Sequence, residues 1–177
     1  MNVRRKHIRE VTSRLLTQAN ILRPAVNVRE IARLQNATVH IEGAEDKYAG
    51  YLFRDKARGI AVIGVNSKHS ETRQRFTIAH EIGHLVLHAI STDEPVHFDE
   101  IFMRRDPKSA EGSDWKEMEA NLFAAELLMP AQMIAHDVSA LHATTSEEVL
   151  ISRLAEQYEV SEQAMGIRLS YLNYIQV

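Results

Sequence analysis

Apolar residues recur along most of this chain at the spacing of amphipathic helices, three and four residues apart. The pattern predicts helices over residues 3–20, 28–34, 70–88, 113–128, 131–138, 146–158 and 161–173. Four of these ranges begin with a serine whose hydroxyl can cap the first turn: Ser70, Ser113, Ser146 and Ser161. Pro24 and Pro130 mark the ends of the first and fourth helices, because the residue before a proline avoids helical geometry.

Between the second and third helices the pattern changes to that of short strands. Thr38 to Glu42 alternates, Tyr48 to Phe53 contains Gly50, and Ile60 to Val65 is apolar throughout, which is typical of a buried strand. Three short strands do not stabilise themselves. We therefore predict a mostly helical α+β fold, in which a small sheet of about three strands packs against the third helix.

Residues 91–112 follow neither period and contain Pro95, Pro107 and Gly112. They are predicted to form an irregular segment, either a lid that contacts substrate or an ordinary surface loop.

The predicted elements divide into two parts. Residues 1–140 contain the sheet and the first five helices, and residues 141–177 form a helical pair with a tight turn at residues 159–160. That arrangement resembles a helix-turn-helix, and we expect it to pack on the first part. From residue 145 onward, however, the sequence contains five glutamates and only two arginines, Arg153 and Arg168. A DNA-reading element should be basic, so nucleic acid is not expected as a direct partner.

Composition narrows the class of protein. The chain has 177 residues, 45% of them hydrophobic and 25% charged, with a net charge of −3, which fits a soluble globular protein. The absence of cysteine excludes disulfides and thiolate metal ligands, and it fits a reducing compartment. The basic residues at the N-terminus precede no apolar run, and no stretch reaches membrane-spanning length. We expect a cytoplasmic location without membrane association.

The third predicted helix carries the motif H-E-x-x-H, formed by His80, Glu81 and His84. Residues four apart lie on one helix face, so both imidazoles can reach one metal ion. Glu81 then lies beside the metal, where it can take a proton from a metal-bound water. The alternative is a helix with two surface histidines and a solvated glutamate.

The third metal ligand must be a carboxylate or another histidine. His88 lies a further turn along the helix and is expected to be packed or hydrogen-bonded at its end. Glu117 is our candidate, with Asn121 positioned to orient a ligand. Two alternatives stay open: Glu117 completes a capping box begun by Asp114, or Glu119 is the ligand and Glu117 is exposed.

Two further features predict how the helices pack. Gly83 lies in the middle of the third helix, where it costs about 0.5–1 kcal/mol relative to alanine, so a strand, a substrate backbone or a wall of the metal pocket should come close there. On the fourth helix the predicted core stripe comprises Trp115, Met118, Leu122, Ala125 and Met129. Ala120 and Ala124, on a neighbouring face, would allow another helix to approach closely.

Two motifs in this order resemble those of the ImmA/IrrE family of metallo-endopeptidases. The first is R-F-T-I-A-H-E-I-G-H-L-V-L-H at residues 75–88, and the second is E-x-x-A-N-x-F-A-A-E-L-L-M-P at residues 117–130. The resemblance covers about residues 20–138 well and the C-terminal helices loosely. It implies a gluzincin-like zinc peptidase fold, with His80, His84 and Glu117 as ligands and Glu81 as general base.

The resemblance also implies an intracellular role in transcription regulation or stress response. The predicted function is a zinc-dependent endopeptidase that cleaves a protein, most often a helix-turn-helix repressor or an antitoxin-like regulator. Mn²⁺ or Fe²⁺ could replace zinc at a His/His/Glu site. Candidates for stabilising the oxyanion are Tyr48, Tyr51, His97, Arg104 and Arg105.

Two alternative functions remain. A metal-containing binding module could sequester a regulator or toxin without cleaving it, although such a module would not need Glu81. The chain could also be a DNA-binding regulator that uses the C-terminal helical pair. The excess of acidic residues in that pair argues against this function.

Overall fold

The computed structural model describes residues 3–55, 58–88, 96–100, 114–141 and 146–176, with the backbone alone for residues 96–100 and 114. Within those ranges the helices are α1 (Arg5–Gln18), α2 (Val28–Leu34), α3 (Glu71–Leu87), α4 (Asp114–Leu128), α5 (Ala131–Ala140), α6 (Glu147–Tyr158) and α7 (Glu162–Tyr171). The strands are β1 (Ala37–Glu42), β2 (Tyr48–Asp55), β3 (Ile60–Asn66) and β4 (Val96–Glu100).

Serine caps fix the starts of three helices, as the sequence predicts. The hydroxyls of Ser70, Ser146 and Ser161 accept hydrogen bonds from the backbone N–H three residues on, at 3.4, 3.4 and 3.1 Å. Each bond satisfies one of the N–H groups that a helix leaves without an internal partner. The predicted cap at Ser113 lies outside the described residues.

The sheet is mixed, with strand order β1-β3-β2-β4. β1 runs parallel to β3, whereas β2 is antiparallel to both β3 and β4. The mostly helical α+β class is confirmed, and the three predicted strands are present. β4 corrects the prediction that residues 91–112 are irregular throughout. Only its first four residues alternate between apolar and polar, and a pattern so short, between Pro95 and further charged residues, does not by itself predict a strand. Whether the rest of that segment acts as a lid lies outside the described residues.

α3 lies directly on the sheet at Gly50 of β2. A Cβ atom at Gly50 would lie 2.6 Å from both the Gly64 carbonyl oxygen and the Thr77 Cγ2. Any side chain there would push the helix away from the strands. Glycine at this position therefore sets the depth at which α3 meets the sheet.

α4 also packs closely against α3, at Gly83. A Cβ atom at Gly83 would lie 3.1–3.2 Å from Phe123 and from the Cα of Ala120. The close approach predicted at Gly83 is present. The neighbour is α4, the helix that carries Glu117, so it corresponds to the predicted wall of the metal pocket and not to a strand.

The predicted core stripe of α4 is largely wrong. Met118 is 50% exposed, Trp115, Leu122 and Ala125 are only partly buried, and Met129 alone of the five is buried. The buried apolar face instead carries the small residues and their neighbours: Ala120, Phe123, Ala124, Leu127 and Leu128. Apolar residues occupy both faces of α4, so periodicity alone could not choose between them. Close packing against α3 selects the face with alanines.

The C-terminal helices pack on the rest of the chain. Buried apolar residues of α1 to α7 and of β1 to β3 form one cluster. Buried Arg168 of α7 donates to the Glu126 carboxylate at 2.6 and 3.1 Å and to the Met129 carbonyl at 2.9 Å. The division of the chain near residue 140 stays a prediction. None of the helices in the described ranges is long and apolar enough to cross a membrane.

We predict opposite effects for two glycine substitutions within helices. Gly83→Leu should destabilise the protein by about 1–3 kcal/mol, because the side chain would overpack the contact with α4. Gly166→Ala should stabilise it by up to about 1 kcal/mol, because its Cβ would meet only Ile151 at 3.7 Å. Urea unfolding of both variants measures the two changes. Equal effects would contradict the close packing at Gly83.

Replacing Arg168 tests the ion pair that joins α7 to α4. Arg168→Met should cost about 3 kcal/mol of unfolding free energy, because it leaves the buried Glu126 carboxylate without its main partner. The double variant Arg168→Met/Glu126→Leu should recover most of that loss. Arg33→Met, which removes an exposed pair with Glu30, should cost less than about 1 kcal/mol. If Arg168→Met/Glu126→Leu is as unstable as Arg168→Met, the loss of stability comes from packing and not from the unpaired carboxylate.

Candidate metal centre

Two histidine side chains and one carboxylate meet between α3 and α4. His80 and His84, one turn apart on α3, are each 3% exposed, and their Nε2 atoms lie 3.0 Å apart. Across from them, Glu117 of α4 places one carboxylate oxygen 3.2 Å from His80 Nε2 and the other 3.3 Å from His84 Nε2. The helix contact at Gly83 thus brings the two halves of the predicted ligand set together.

These separations suit a metal ion. Tetrahedral ligands at about 2.0–2.1 Å from zinc lie about 3.3–3.4 Å from one another. The two Nε2 atoms lie 3.0 Å apart, and each lies 3.2 or 3.3 Å from one carboxylate oxygen of Glu117. Burial opposes the charged form of Glu117, but hydrogen bonds with His80 and His84 hold its pKa well below the ordinary value. A buried, ionised carboxylate beside two imidazoles can therefore hold a metal ion.

The ring of His80 is oriented from behind by Asn121. The Asn121 Oδ1 atom lies 3.0 Å from His80 Nδ1. An amide oxygen only accepts, so this bond places the proton on Nδ1 and leaves the Nε2 lone pair directed at the shared centre. Asn121 therefore contacts the candidate ligand in the manner that the sequence predicts.

His84 is oriented by a longer series of bonds. Its Nδ1 lies 3.1 Å from Nδ1 of His88, whose Nε2 lies 3.1 Å from a carboxylate oxygen of Glu119. Because the carboxylate accepts, His88 carries its proton on Nε2 and can accept from His84 Nδ1–H. This leaves the Nε2 lone pair of His84 for a metal. His88 is thus hydrogen-bonded at the end of α3, behind the metal group.

Glu119 is anchored by the start of the chain. Its carboxylate is fully buried and accepts from the Arg4 backbone N–H at 2.8 Å and from the Arg4 Nε at 2.9 Å. Burial by itself would raise the pKa of Glu119, but the bonds from Arg4 and His88 lower it to about 2. Glu119 is therefore the ionised end of the series behind His84, not a member of the metal group. No sequence pattern could link residues 4 and 119.

Glu81, the proposed base, is fully buried on α3 beside His80. Arg54 of β2 lies nearby and donates to the carbonyl oxygens of His84 and His88, to the latter at 3.0 Å. Burial lowers the pKa of Arg54, and the negative charge of Glu81 acts in the opposite direction. The sheet thus supplies a cation near Glu81, at the C-terminal end of α3. There the positive charge of Arg54 also interacts favourably with the negative end of the helix dipole. No local sequence pattern identifies Arg54 as part of this site.

One oxyanion candidate faces away from the metal group. The Tyr51 ring covers Gly64, on the sheet face opposite the one that Gly50 presents to α3. A hydrogen bond with Glu42 and partial burial raise the pKa of Tyr51. The Tyr51 ring therefore packs over β3, away from the candidate metal group.

The other oxyanion candidates are placed less fully. The Tyr48 ring, at the start of β2, lies under the Lys47 Nζ atom at 4.8 Å. The side chain of His97, and Arg104 and Arg105 altogether, lie outside the described structure. The choice of an oxyanion-stabilising residue stays a prediction.

Comparison with known proteins connects this geometry to a family. The model of the IrrE N-terminal-like domain, Peptidase_M78, matches residues 35–170. A solved structure of a Mycobacterium tuberculosis transcriptional regulator is similar, with a TM-score of 0.62 and 17% sequence identity. The similarity covers 93% of this chain and 47% of the other, so this chain spans about half the length of that protein. At that identity the likeness concerns the fold alone. No curated protein matches the chain.

We predict that Glu119→Gln weakens metal binding at this site, with zinc as the probe, by about 10- to 100-fold, because outer partners of a ligating histidine tune its basicity and orientation. Competition with a chromophoric chelator measures the affinity. Glu156→Gln, at an exposed position of α6, is the control and should leave affinity unchanged. Unaltered zinc affinity in a folded Glu119→Gln variant would show that the hydrogen bonds from His84 through His88 to Glu119 contribute to folding alone.

Proposed function

We propose that this chain, which belongs to the IrrE N-terminal-like family Peptidase_M78, is a metal-dependent endopeptidase acting on a protein substrate. The observation that carries the proposal is the buried group of His80, His84 and Glu117. Glu81, next to His80 on the same helix, adds a carboxylate that a metal-storage or purely structural site does not need.

Zinc is the proposed ion, since two histidines and one glutamate form a common ligand set of catalytic zinc. The same set accepts Mn²⁺ or Fe²⁺. The bound ion supplies a Lewis acid that polarises a peptide carbonyl and lowers the pKa of water. His80 and His84 each present an Nε2 lone pair, and Glu117 provides the compensating negative charge.

Glu81 is proposed to move the proton. Its carboxylate accepts a proton from the attacking water and returns it to the leaving amine when the peptide bond breaks. Arg54, which donates to the carbonyl oxygens at the end of α3, is proposed to hold that end of the helix while the proton moves. The sheet and α3 would thereby act together in positioning the base.

The proposed substrate is a DNA-binding helix-turn-helix repressor or an antitoxin-like regulator, with a cytoplasmic location. The motifs at residues 75–88 and 117–130 support this substrate through their resemblance to the ImmA/IrrE peptidases. The structural similarity to a transcriptional regulator fits the same setting in gene regulation. The competing function is a module that sequesters such a regulator without cleaving it.

We predict that Glu81→Gln lowers the rate of cleavage by about 10²- to 10⁴-fold and leaves metal affinity unchanged, because it removes the base but no ligand. The test is incubation of the zinc-loaded protein with helix-turn-helix repressors of the same organism, with fragments identified by mass spectrometry. Glu71→Gln, an exposed change on the same helix, should cleave at the wild-type rate.

Two outcomes would contradict the proposal. Full-rate cleavage by Glu81→Gln would exclude this residue as the base. Tight binding of the repressor by the wild-type, zinc-loaded protein without any cleavage would instead favour sequestration.

A further inference from the structure

An apolar groove of about 610 Å³ lies between α3, α4 and the C-terminal helix α7. That volume falls within the usual range of ligand sites in proteins. Its apolar lining includes Phe76, Leu122, Ala125, Met129, Ile167 and Tyr171. Each of the three helices therefore contributes part of one apolar surface.

The groove adjoins the candidate metal centre. Asn121, which lines the groove, bonds His80 Nδ1 at 3.0 Å. Phe76 also lines it, and its ring centroid lies 6.4 Å from that of His80. An extended chain advances about 3.3 Å per residue, so the edge of the groove at Phe76 and Asn121 lies within about two residues of extended chain from the His80 ring.

The groove leaves large apolar side chains in contact with solvent. Ile167 is 66% exposed and Tyr171 is 40% exposed, and they lie four residues apart on one face of α7. Leu122 and Ala125 have the spacing of a buried stripe, yet they are only partly covered. These side chains form a concave, mostly apolar surface between three helices, which is the usual form of a binding groove.

The charge at the rim indicates the character of the occupant. Arg73 of α3 lines the groove and is exposed, and within the described ranges no carboxylate forms an ion pair with it. Arg168, by contrast, is buried and paired with Glu126. A negative charge on the occupant would complement Arg73.

We propose that this groove binds the segment of the protein substrate that flanks its scissile bond. The segment carries at least two large apolar side chains, such as leucine, isoleucine, methionine or phenylalanine, and an acidic residue that pairs with Arg73. The proposal rests on the proposed peptidase function for the position of the bond that breaks, whereas binding in the groove does not require cleavage.

The test uses a proteome-derived peptide library and the zinc-loaded, full-length protein. Sequencing of the products by mass spectrometry should show large apolar residues enriched on one side of the cut, with acidic residues beside them. Ile167→Glu should reduce cleavage of those peptides by at least about tenfold, as loss of a central contact does. Val149→Glu, an exposed change on α6 outside the groove, should have no effect.

A parallel binding experiment separates this proposal from the peptidase function. The same library is passed over immobilised Glu81→Gln protein, with and without Ile167→Glu. Retention of apolar, acidic peptides that Ile167→Glu abolishes supports the groove, even if the wild-type protein cleaves nothing. Two results would overturn the proposed role of the groove and leave the proposed peptidase function standing. One is cleavage without preference for apolar residues, and the other is an apolar preference that Ile167→Glu leaves unchanged.

Two further outcomes would also overturn the groove. One is the absence of both cleavage and retention. The other is a wild-type dimer that Ile167→Glu converts to monomers in light scattering, because a second copy would then cover the surface.

Discussion

The close contact between α3 and α4 at Gly83 is the constraint on which the candidate metal centre depends. Packed helices usually lie about 8–10 Å apart, and the shortest distances require small residues at the contact. Here Gly83 faces Ala120 and Phe123, and the same approach carries Glu117 to within 3.2–3.3 Å of the two histidines. A bulkier residue at Gly83 would separate the ligand set before it altered any ligand. The fold and the site thus share one packing contact.

The two helices also supply the groups that orient the ligands. α4 provides Asn121 behind His80 and Glu119 behind His88, so one helix carries both a ligand and the acceptors that fix the histidine protons. Burying the Glu119 carboxylate alone would cost free energy. Arg4 offsets that cost, because its backbone N–H and its guanidinium both donate hydrogen bonds to the carboxylate. The N-terminal residues of the chain therefore contribute to the metal centre, although they lie far from it in sequence.

Local chemistry made much of this structure predictable. Serine caps, apolar periodicity and the histidine spacing depend on neighbours in the sequence, and they located the helices, three strands and the group of His80, His84, Glu117 and Asn121. Features that depend on distant partners could not be found that way. Arg4 meets Glu119 across 115 residues, and Arg54 meets the end of α3 only once the sheet has formed. The buried face of α4 was misassigned for the same reason, because its partner α3 decides which apolar face is covered.

X-ray absorption at the zinc edge of the zinc-loaded protein tests the metal centre most directly. We predict one zinc per chain, with two imidazole nitrogens at about 2.0–2.1 Å, carboxylate and water oxygens at about 2.0–2.2 Å, and no third imidazole. Three imidazoles would show that a further histidine, such as His88, joins the metal. A fully hydrated ion without histidine scattering would show that the buried group of His80, His84 and Glu117 holds no metal, and the proposed chemistry would then be wrong.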